Sequence, residues 1–192
     1  MMGIYRVLRL VGGYFLGLLG LMGILVATAS RGWVRVCKFG PPETCYMDPV
    51  VITEGLWDIC VYAEDNVTDY LCKPLDKTPV YIWMSQRLMI ASSILNMVAL
   101  AMAIVYLLAG TFCRQRCQGG INTFAIAGAV FMLSAGLCGL TATVWYYVAV
   151  NNEGQLMETC NALRFGWVGV GASLLTGGGW LVSFLQPPPF TT

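Results

Sequence analysis

The sequence predicts an α-helical membrane protein, in which four transmembrane helices form a bundle and carry a small antiparallel β-sheet outside the lipid. Three observations support this fold class. Of the 192 residues, 57% are hydrophobic and only 11% are charged, whereas a soluble domain has about a quarter charged residues. Four long apolar segments contain no charged residue. The one long polar segment, residues 30–80, holds four of the cysteines, Cys37, Cys45, Cys60 and Cys72.

The uncharged segments cover residues 10–29, 88–108, 121–150 and 165–185. Each supplies the roughly 20 residues that a helix needs to cross a bilayer, and so many in a short chain leave no room for a soluble shell. We therefore expect one domain over residues 1–192, with helices at about 7–29, 82–108, 121–150 and 162–185. Two outer loops, 30–81 and 151–161, and one inner turn, 109–120, connect them.

Composition also limits the function. The net charge is +1, so the sequence does not indicate a nucleic-acid partner. The chain has no histidine, the commonest metal ligand and a frequent general base. We therefore expect a protein that is not an enzyme, that needs no metal or cofactor, and whose first partner is the lipid bilayer.

Basic residues near the helix ends predict the orientation, because cytoplasmic flanks carry an excess of Lys and Arg. Arg6 and Arg9 precede the first segment, and Arg114 and Arg116 lie in the short inner turn. This pattern places both termini in the cytoplasm. Five basic residues in the first outer loop weaken the charge argument, but its cysteines and its glycosylation sequon favour the same orientation. The first segment is longer than the apolar part of a signal peptide, so we interpret it as a retained helix.

The first outer loop has the features of a small stapled sheet. Its four cysteines predict two disulfides, and three pairings are possible. Cys37 and Cys45 bracket a turn-forming stretch, and Cys60 and Cys72 bracket a second loop of hairpin size. Residues 50–53 are mostly β-branched strand formers. Such a sheet is too small to hold its own core, so disulfides and an anchor on the membrane side are expected to stabilise it.

Gly55, Leu56 and Trp57 are an unusual group for a polar loop. A tryptophan suits the water–lipid boundary, where the ring is buried and the N–H stays hydrated, and a glycine permits close approach of another backbone. The group then anchors the sheet on the bundle. The alternative is an ordinary strand whose tryptophan packs in a small core. The residues alone leave both interpretations open.

Trp33, Gly55-Leu56-Trp57, Cys60 and Cys72 together resemble the W…GLW…C…C signature of the claudin family. Peripheral-myelin proteins, epithelial-membrane proteins and calcium-channel gamma subunits share part of this signature. Short helix motifs, in the order expected for claudins, favour the claudins over these relatives. They are residues 87–92 (RLMIAS), 126–128 (IAG), 137–140 (LCGL), 145–146 (WY), 165–167 (FGW) and 177–179 (GGG).

The resemblance implies a left-handed four-helix bundle with a sheet of about five strands, one of them from the second loop. Cys60 and Cys72 would staple the sheet, while Trp33, Gly55, Leu56 and Trp57 anchor it. It also implies a tight-junction protein of the plasma membrane that polymerises with itself or other claudins in cis, contacts copies in trans, and forms a paracellular barrier or charge-selective pore. The alternative is an auxiliary membrane subunit or adhesion modulator, as in the peripheral-myelin and gamma-subunit relatives.

The resemblance further implies that the residue after the second signature cysteine, here Lys73, faces the pore and biases its charge selectivity. A lysine favours anions or opposes cations. Asp65 and Asp69 lie in the same loop, and their field would favour cations if they faced the pore. We expect Lys73 to dominate because of its position; whether the protein is a barrier or a channel stays open.

Four further residues have expected roles. Arg87 opens the second helix, and we expect it to tie the sheet to the bundle by pairing with Asp58 or Glu54. Asn66 begins a glycosylation sequon. Cys113 and Cys117, beside basic residues, favour palmitoylation over a metal site.

The chain departs from the claudin pattern at three places. The second outer loop is short and lacks the aromatic-aromatic-x-Pro turn associated with trans contact. Residues 141–143 lack the proline that bends the third helix of several claudins, so we expect a straighter helix. Residues 186–192 do not end in the hydrophobic residue that PDZ scaffolds capture, so this C-terminus does not support a PDZ partner; either the protein does not use PDZ scaffolds or the sequence continues beyond residue 192.

Overall fold

The computed structural model describes residues 2–36, 50–63, 66–75, 78–112, 118–152 and 157–185. These residues form four helices and five strands. The helices are α1 (Met2–Ala29), α2 (Val80–Phe112), α3 (Gln118–Asn152) and α4 (Asn161–Leu185). The strands are β1 (Val34–Val36), β2 (Val50–Glu54), β3 (Asp58–Ala63), β4 (Asn66–Pro74) and β5 (Met157–Thr159).

All four helices are long and apolar enough to cross a membrane. In the bundle, α3 packs along both α2 and α4, α1 packs mainly along α4, and the contact between α1 and α2 is smaller. Many large apolar side chains remain exposed on the outside of the bundle, among them Phe15, Leu19, Leu175 and Val182. Such a surface is suited to lipid rather than water. The predicted four-helix membrane fold is confirmed.

The strands form one antiparallel sheet with the order β4-β3-β2-β1-β5. Strands β1 to β4 come from the connection between α1 and α2, whereas β5 precedes α4 and pairs with β1, with Val34 opposite Thr159. The second loop therefore contributes the fifth strand, as the resemblance implied.

The bundle has two apolar cores, one at each end. The core at the sheet end contains residues from every helix and from the sheet, including Ile24, Trp33, Leu56, Met89 and Leu163. The other core surrounds Met132 and Trp180. Because the first core joins helices and sheet, the position of the sheet depends on the packing of the bundle.

Helix α3 is the longest element, with 35 residues, which correspond to roughly 50 Å of helix. This exceeds the hydrocarbon thickness of about 30 Å. Its last turns, with Tyr146 and Val150, contribute to the core at the sheet end. The helix therefore reaches out of the bundle to support the sheet.

Buried polar side chains join the helices within the bundle. Ser85 and Ser92 of α2 donate hydrogen bonds to the backbone carbonyls of Ala142 and Ala135 in α3, at 3.1 and 2.7 Å. Ser173 of α4 donates to Asn96 Oδ1 of α2, at 3.2 Å. Hydrogen bonds between membrane helices contribute about 0.6 kcal/mol each on average, so these contacts fix the pairing of helices more than they stabilise it.

Helices α1 and α4 approach each other at glycines. A Cβ built on Gly23 would lie 2.9 Å from the Cα of Gly169, and one built on Gly169 would lie 2.8 Å from the carbonyl oxygen of Gly20. A Cβ built on Gly12 of α1 or on Gly171 of α4 would instead meet nothing within 4 Å. Close backbone approach between these two helices therefore occurs at Gly20, Gly23 and Gly169.

Gly169→Ala is expected to destabilise the protein by about 1–3 kcal/mol, because the new methyl group must push the α1 backbone away. Gly171→Ala adds the same methyl group to the same helix in open space, and should leave stability unchanged or slightly raised. Melting temperatures in detergent micelles compare the two variants. Equal melting temperatures would contradict the close contact.

Candidate functional site at the sheet end of the bundle

The C-terminal end of α1 receives hydrogen bonds from two indole rings. The last four carbonyls of a helix have no partner within it, and in α1 these belong to residues 26–29. The Nε1–H of Trp33 donates to the carbonyl of Ala27 at 2.7 Å, and the Nε1–H of Trp57 donates to the carbonyl of Thr28 at 2.6 Å. The backbone N–H of Ser30 donates to Val26 at 3.0 Å. Both tryptophans of the signature therefore cap one helix.

The ring of Trp33 lies inside the core at the sheet end and has no exposed surface. It meets the ring of Tyr146 edge to face, with 4.9 Å between centroids. Its backbone N–H donates to Glu54 at 2.8 Å, and its carbonyl accepts from Cys160 at 2.9 Å. Trp33 thus connects α1, α3, β2 and the start of α4.

Gly55, Leu56 and Trp57 form the connection between β2 and β3, and Gly55 N–H donates to the Asp58 carbonyl at 3.0 Å to close the turn. They are therefore the tip of a hairpin, and the alternative of an ordinary strand is wrong. Leu56 is fully buried in the core, whereas 39% of the Trp57 surface is exposed. The hairpin tip inserts a leucine into the bundle and leaves its tryptophan at the edge.

The glycine of this tip is required by a backbone contact. A Cβ built on Gly55 would lie 2.4 Å from the carbonyl oxygen of Arg31. No side chain can be accommodated there unless the chain after α1 moves. The expected close approach at Gly55 is therefore present, and its partner is the segment that follows the capped helix.

Helix α2 holds the hairpin from the other side, through residues that the sequence did not indicate. The Gln86 side-chain amide donates to the carbonyl of Leu56, and the Tyr81 hydroxyl donates to Glu54 Oε1 at 3.3 Å. The Tyr81 ring also contacts Tyr146. These contacts depend on which side of α2 faces the hairpin, and only the structure shows this. The sequence offered one signal, the position of Gln86 beside Arg87 at the predicted start of the helix.

The disulfide links Cys60 to Cys72, which lie directly opposite each other on β3 and β4 with 4.1 Å between their Cα atoms. Closing a loop of this length is expected to stabilise the fold by about 3 kcal/mol. The bond is set at the centre of the β3–β4 pair, so it fixes the register of the edge strand β4.

Lys73 lies on the sheet face opposite to that of Cys72, because side chains alternate along a strand. It pairs with Ile59 of β3, Ile59 pairs with Glu54 of β2, and Glu54 pairs with Val34 of β1. Its side chain is exposed and makes no ion pair with any residue that the structure describes. Within the described part of the chain, no carboxylate compensates this positive charge, which lies on a stapled strand.

Arg87 does not make the ion pair that we expected from the sequence. Asp58 instead pairs with Arg31, at 3.7 Å, and Glu54 accepts from Tyr81. The Arg87 guanidinium lies over the ring of Trp83, 5.1 Å from its centroid. Its neighbour Gln86, together with Tyr81, ties α2 to the sheet instead, while the Arg87 side chain is exposed on the outside of the bundle.

Several predicted sites lie wholly or partly outside the described residues. Cys37, Cys45, Asp65, Cys113 and Cys117 are outside them. Asn66 begins β4 opposite Ala63, beside a register shift, and Asp69 lies further along the same strand. Glycosylation, palmitoylation and the second disulfide stay predictions.

Trp33→Phe and Trp57→Phe each keep an aromatic ring and remove one cap of α1. We expect each to lower stability by about 1–3 kcal/mol, the cost of leaving a carbonyl without a partner at a membrane boundary. Trp167→Phe is the control, because that ring is 48% exposed and contacts Tyr147. Melting temperatures in detergent compare the three variants. If all three variants melt at the same temperature, the capping role is contradicted.

Gly55→Ala is expected to displace the hairpin tip, because its methyl group would overlap the Arg31 carbonyl. Gly32→Ala is the matched control, because the nearest atom to its Cβ would be the Thr53 Cβ at an ordinary 3.4 Å. Trypsin cleavage of the folded protein after Arg31 measures the displacement. We expect faster cleavage in Gly55→Ala only; equal rates in both variants would refute the contact.

Comparison with protein families and curated proteins agrees with this arrangement. A model of the PMP-22/EMP/MP20/Claudin family matches residues 6–179. The chain is 31% identical to claudin-11 of Homo sapiens over 173 residues, which are 87% of this chain and 80% of that protein. It is 31% identical to claudin-19 of Homo sapiens over 181 residues, 86% of this chain and 76% of that protein. The chain therefore belongs to the claudins, within the PMP-22/EMP/MP20/Claudin family.

Proposed function

We propose that the protein forms a paracellular barrier or a charge-selective paracellular pore at tight junctions, without enzymatic activity. In this proposal the sheet is extracellular and both termini are cytoplasmic. Copies polymerise side by side in one membrane and meet copies in the neighbouring cell. Membership of the claudins and the firm attachment of the sheet to a membrane bundle support this function.

The observation that carries the proposal is the exposed charge of Lys73, which forms no ion pair with a residue that the structure describes. Selective pores discriminate ions by fixed charges near a constriction, and a useful fixed charge needs a rigid support. Lys73 directly follows Cys72 of the disulfide, on a strand whose register the disulfide holds. A positive charge in that place favours chloride over sodium.

Glu54 is the nearest acid in the row of paired residues that crosses the sheet from Lys73, and it does not cancel this charge. Glu54 is two strands away from Lys73, a distance of roughly 10 Å at the usual strand spacing. That is about one Debye length at physiological salt. Glu54 also accepts a hydrogen bond from Tyr81, so it is directed toward the bundle. Lys73 therefore dominates the field at the exposed end of this row.

A specific observation favours the alternative of an auxiliary subunit or adhesion modulator. Asn66, the first residue of the sequon, begins β4, which is an edge strand of the sheet. Edge strands are the usual sites of pairing between chains, and a glycan at that end would hinder such pairing. Freeze-fracture of cells that lack other claudins discriminates the two functions, because only a polymerising protein produces strands.

Lys73→Asp is expected to abolish or reverse the preference for chloride in a claudin-depleted epithelial monolayer that expresses this chain. A charge a few ångströms from a permeating ion contributes about 1 kcal/mol in water-like surroundings, so the permeability ratio should change roughly fivefold or more. NaCl dilution potentials measure this ratio.

Lys73→Arg keeps the charge and is the matched control, for which we expect the parent's selectivity. A rise in transepithelial resistance that neither substitution alters would indicate a barrier instead of a pore. If the protein reaches cell contacts but changes neither resistance nor dilution potential, both the barrier and the pore are contradicted and the auxiliary function is favoured.

A further inference from the structure

Arg87 lies on the face of α2 that is directed to lipid. The exposed residues of this helix recur every three or four positions, as expected for one face of a helix. They include Trp83, which is 46% exposed, then Arg87, and then the apolar side chains of Ile90, Ile94 and Met97. A permanent cation therefore lies in an otherwise apolar stripe.

This cation has no acidic partner among the residues that the structure describes. The two carboxylates that the sequence suggested as its partners have other contacts, Asp58 with Arg31 and Glu54 with Tyr81. The contact that Arg87 makes is with the Trp83 ring, over which its guanidinium lies at 5.1 Å. The guanidinium carbon lies over the indole ring, and the exposed side chain leaves N–H groups available for an anion.

The Arg87 backbone lies close to the boundary between the hydrocarbon core and the lipid phosphates. It lies seven residues after the start of α2 at Val80, or about 10 Å along the helix. The apolar span Val80–Ala109 has 30 residues, about 45 Å, which exceeds the hydrocarbon core by roughly 15 Å. Shared between the two ends, this excess puts the Arg87 backbone a few ångströms inside the hydrocarbon.

The Arg87 side chain extends from this depth back toward the membrane boundary. Helical side chains tilt toward the N-terminus of their helix, and the N-terminus of α2 is its sheet end. The guanidinium accordingly extends back to Trp83, one turn nearer to the boundary. An arginine that reaches the boundary in this way removes most of the cost of a charge in the membrane.

We propose that Arg87 and Trp83 form a binding site for the phosphodiester of a phospholipid in the leaflet at the sheet end. Guanidinium N–H groups bind two phosphate oxygens in a bidentate manner, while the indole holds the guanidinium plane upright. The acyl chains lie along Ile90 and Ile94 below. The interaction is non-covalent and leaves the arginine charged.

The lipid headgroup, rather than free phosphate, is the occupant because the charged and apolar parts of the surface are continuous. A free phosphate would use only the guanidinium and would lie against lipid tails. A phospholipid uses the cation and the apolar stripe together.

The site is also next to the anchor of the sheet. Gln86, which holds the Leu56 carbonyl, directly precedes Arg87. A bound phospholipid would restrain the same turn of α2. Phospholipid binding is therefore expected to raise the stability of the hairpin attachment.

The experiment uses the full chain purified in detergent micelles and three probes. Dioleoyl phosphatidylcholine has both phosphodiester and chains, dioleoylglycerol has only the chains, and glycerophosphocholine has only the headgroup. Native mass spectrometry counts the bound molecules, and the melting temperature reports stabilisation. We expect binding and stabilisation by phosphatidylcholine alone, with affinity lowered about tenfold in Arg87→Gln and less in Arg87→Lys.

Arg164→Gln is the matched control. Arg164 is an exposed arginine in the first turn of α4, and its loss should leave phosphatidylcholine binding unchanged. Trp83→Leu keeps an apolar side chain and removes the ring, so it should weaken binding severalfold even if Arg87→Gln does not fold.

Three results would overturn the proposal. Equal binding of dioleoylglycerol and phosphatidylcholine would indicate a purely apolar surface. Equal binding of glycerophosphocholine would indicate a site for free phosphate esters. Undiminished phosphatidylcholine binding by folded Arg87→Gln, or by folded Trp83→Leu where Arg87→Gln does not fold, would remove these side chains from any lipid site.

Discussion

The attachment of the sheet depends on how the first helix ends at the membrane boundary. Two carbonyls there accept hydrogen bonds from the indoles of Trp33 and Trp57. Trp33 follows the helix directly, and Trp57 comes from the hairpin tip. The hydrogen bonds that pair the carbonyls at the helix end therefore also bring the first strand and the β2–β3 hairpin to the bundle. At a lipid boundary little water is available to replace either bond. The geometry of the helix end therefore determines where the sheet lies.

The remaining contacts of the junction reinforce this arrangement from different directions. Leu56 enters the core from the hairpin, Tyr146 rises from α3 to meet Trp33, and Gln86 holds the hairpin carbonyl from α2. Each element alone would allow the sheet to pivot about the end of α1. Together they define one orientation. A charge on the sheet, such as that of Lys73, is thereby placed at a fixed distance from the membrane, which a pore wall requires.

The helices could be predicted because lipid demands long uncharged segments, a property that a sequence displays directly. The signature of Trp33 and Gly55-Leu56-Trp57 indicated an anchor, but its composition did not distinguish a strand from a hairpin tip, since both accept apolar residues. The predicted ion pair of Arg87 with Asp58 or Glu54 was wrong for a different reason. Asp58 pairs with Arg31, and only the three-dimensional arrangement shows which arginine Asp58 meets. Tyr146 and Gln86 were missed because the rotation of a uniformly apolar helix leaves little trace in its sequence.

The pairing of β1 with β5 has a consequence for the order of biosynthesis. Val34 is made early, whereas its partner Thr159 emerges only after α2 and α3. Until then one side of β1 carries unsatisfied amide groups, and such an open edge readily pairs with the wrong chain. Completion of the sheet therefore waits for insertion of most of the protein into the membrane. A nascent chain interrupted before α4 would present this open edge to chaperones, which gives the cell a physical basis for recognising an unfinished copy.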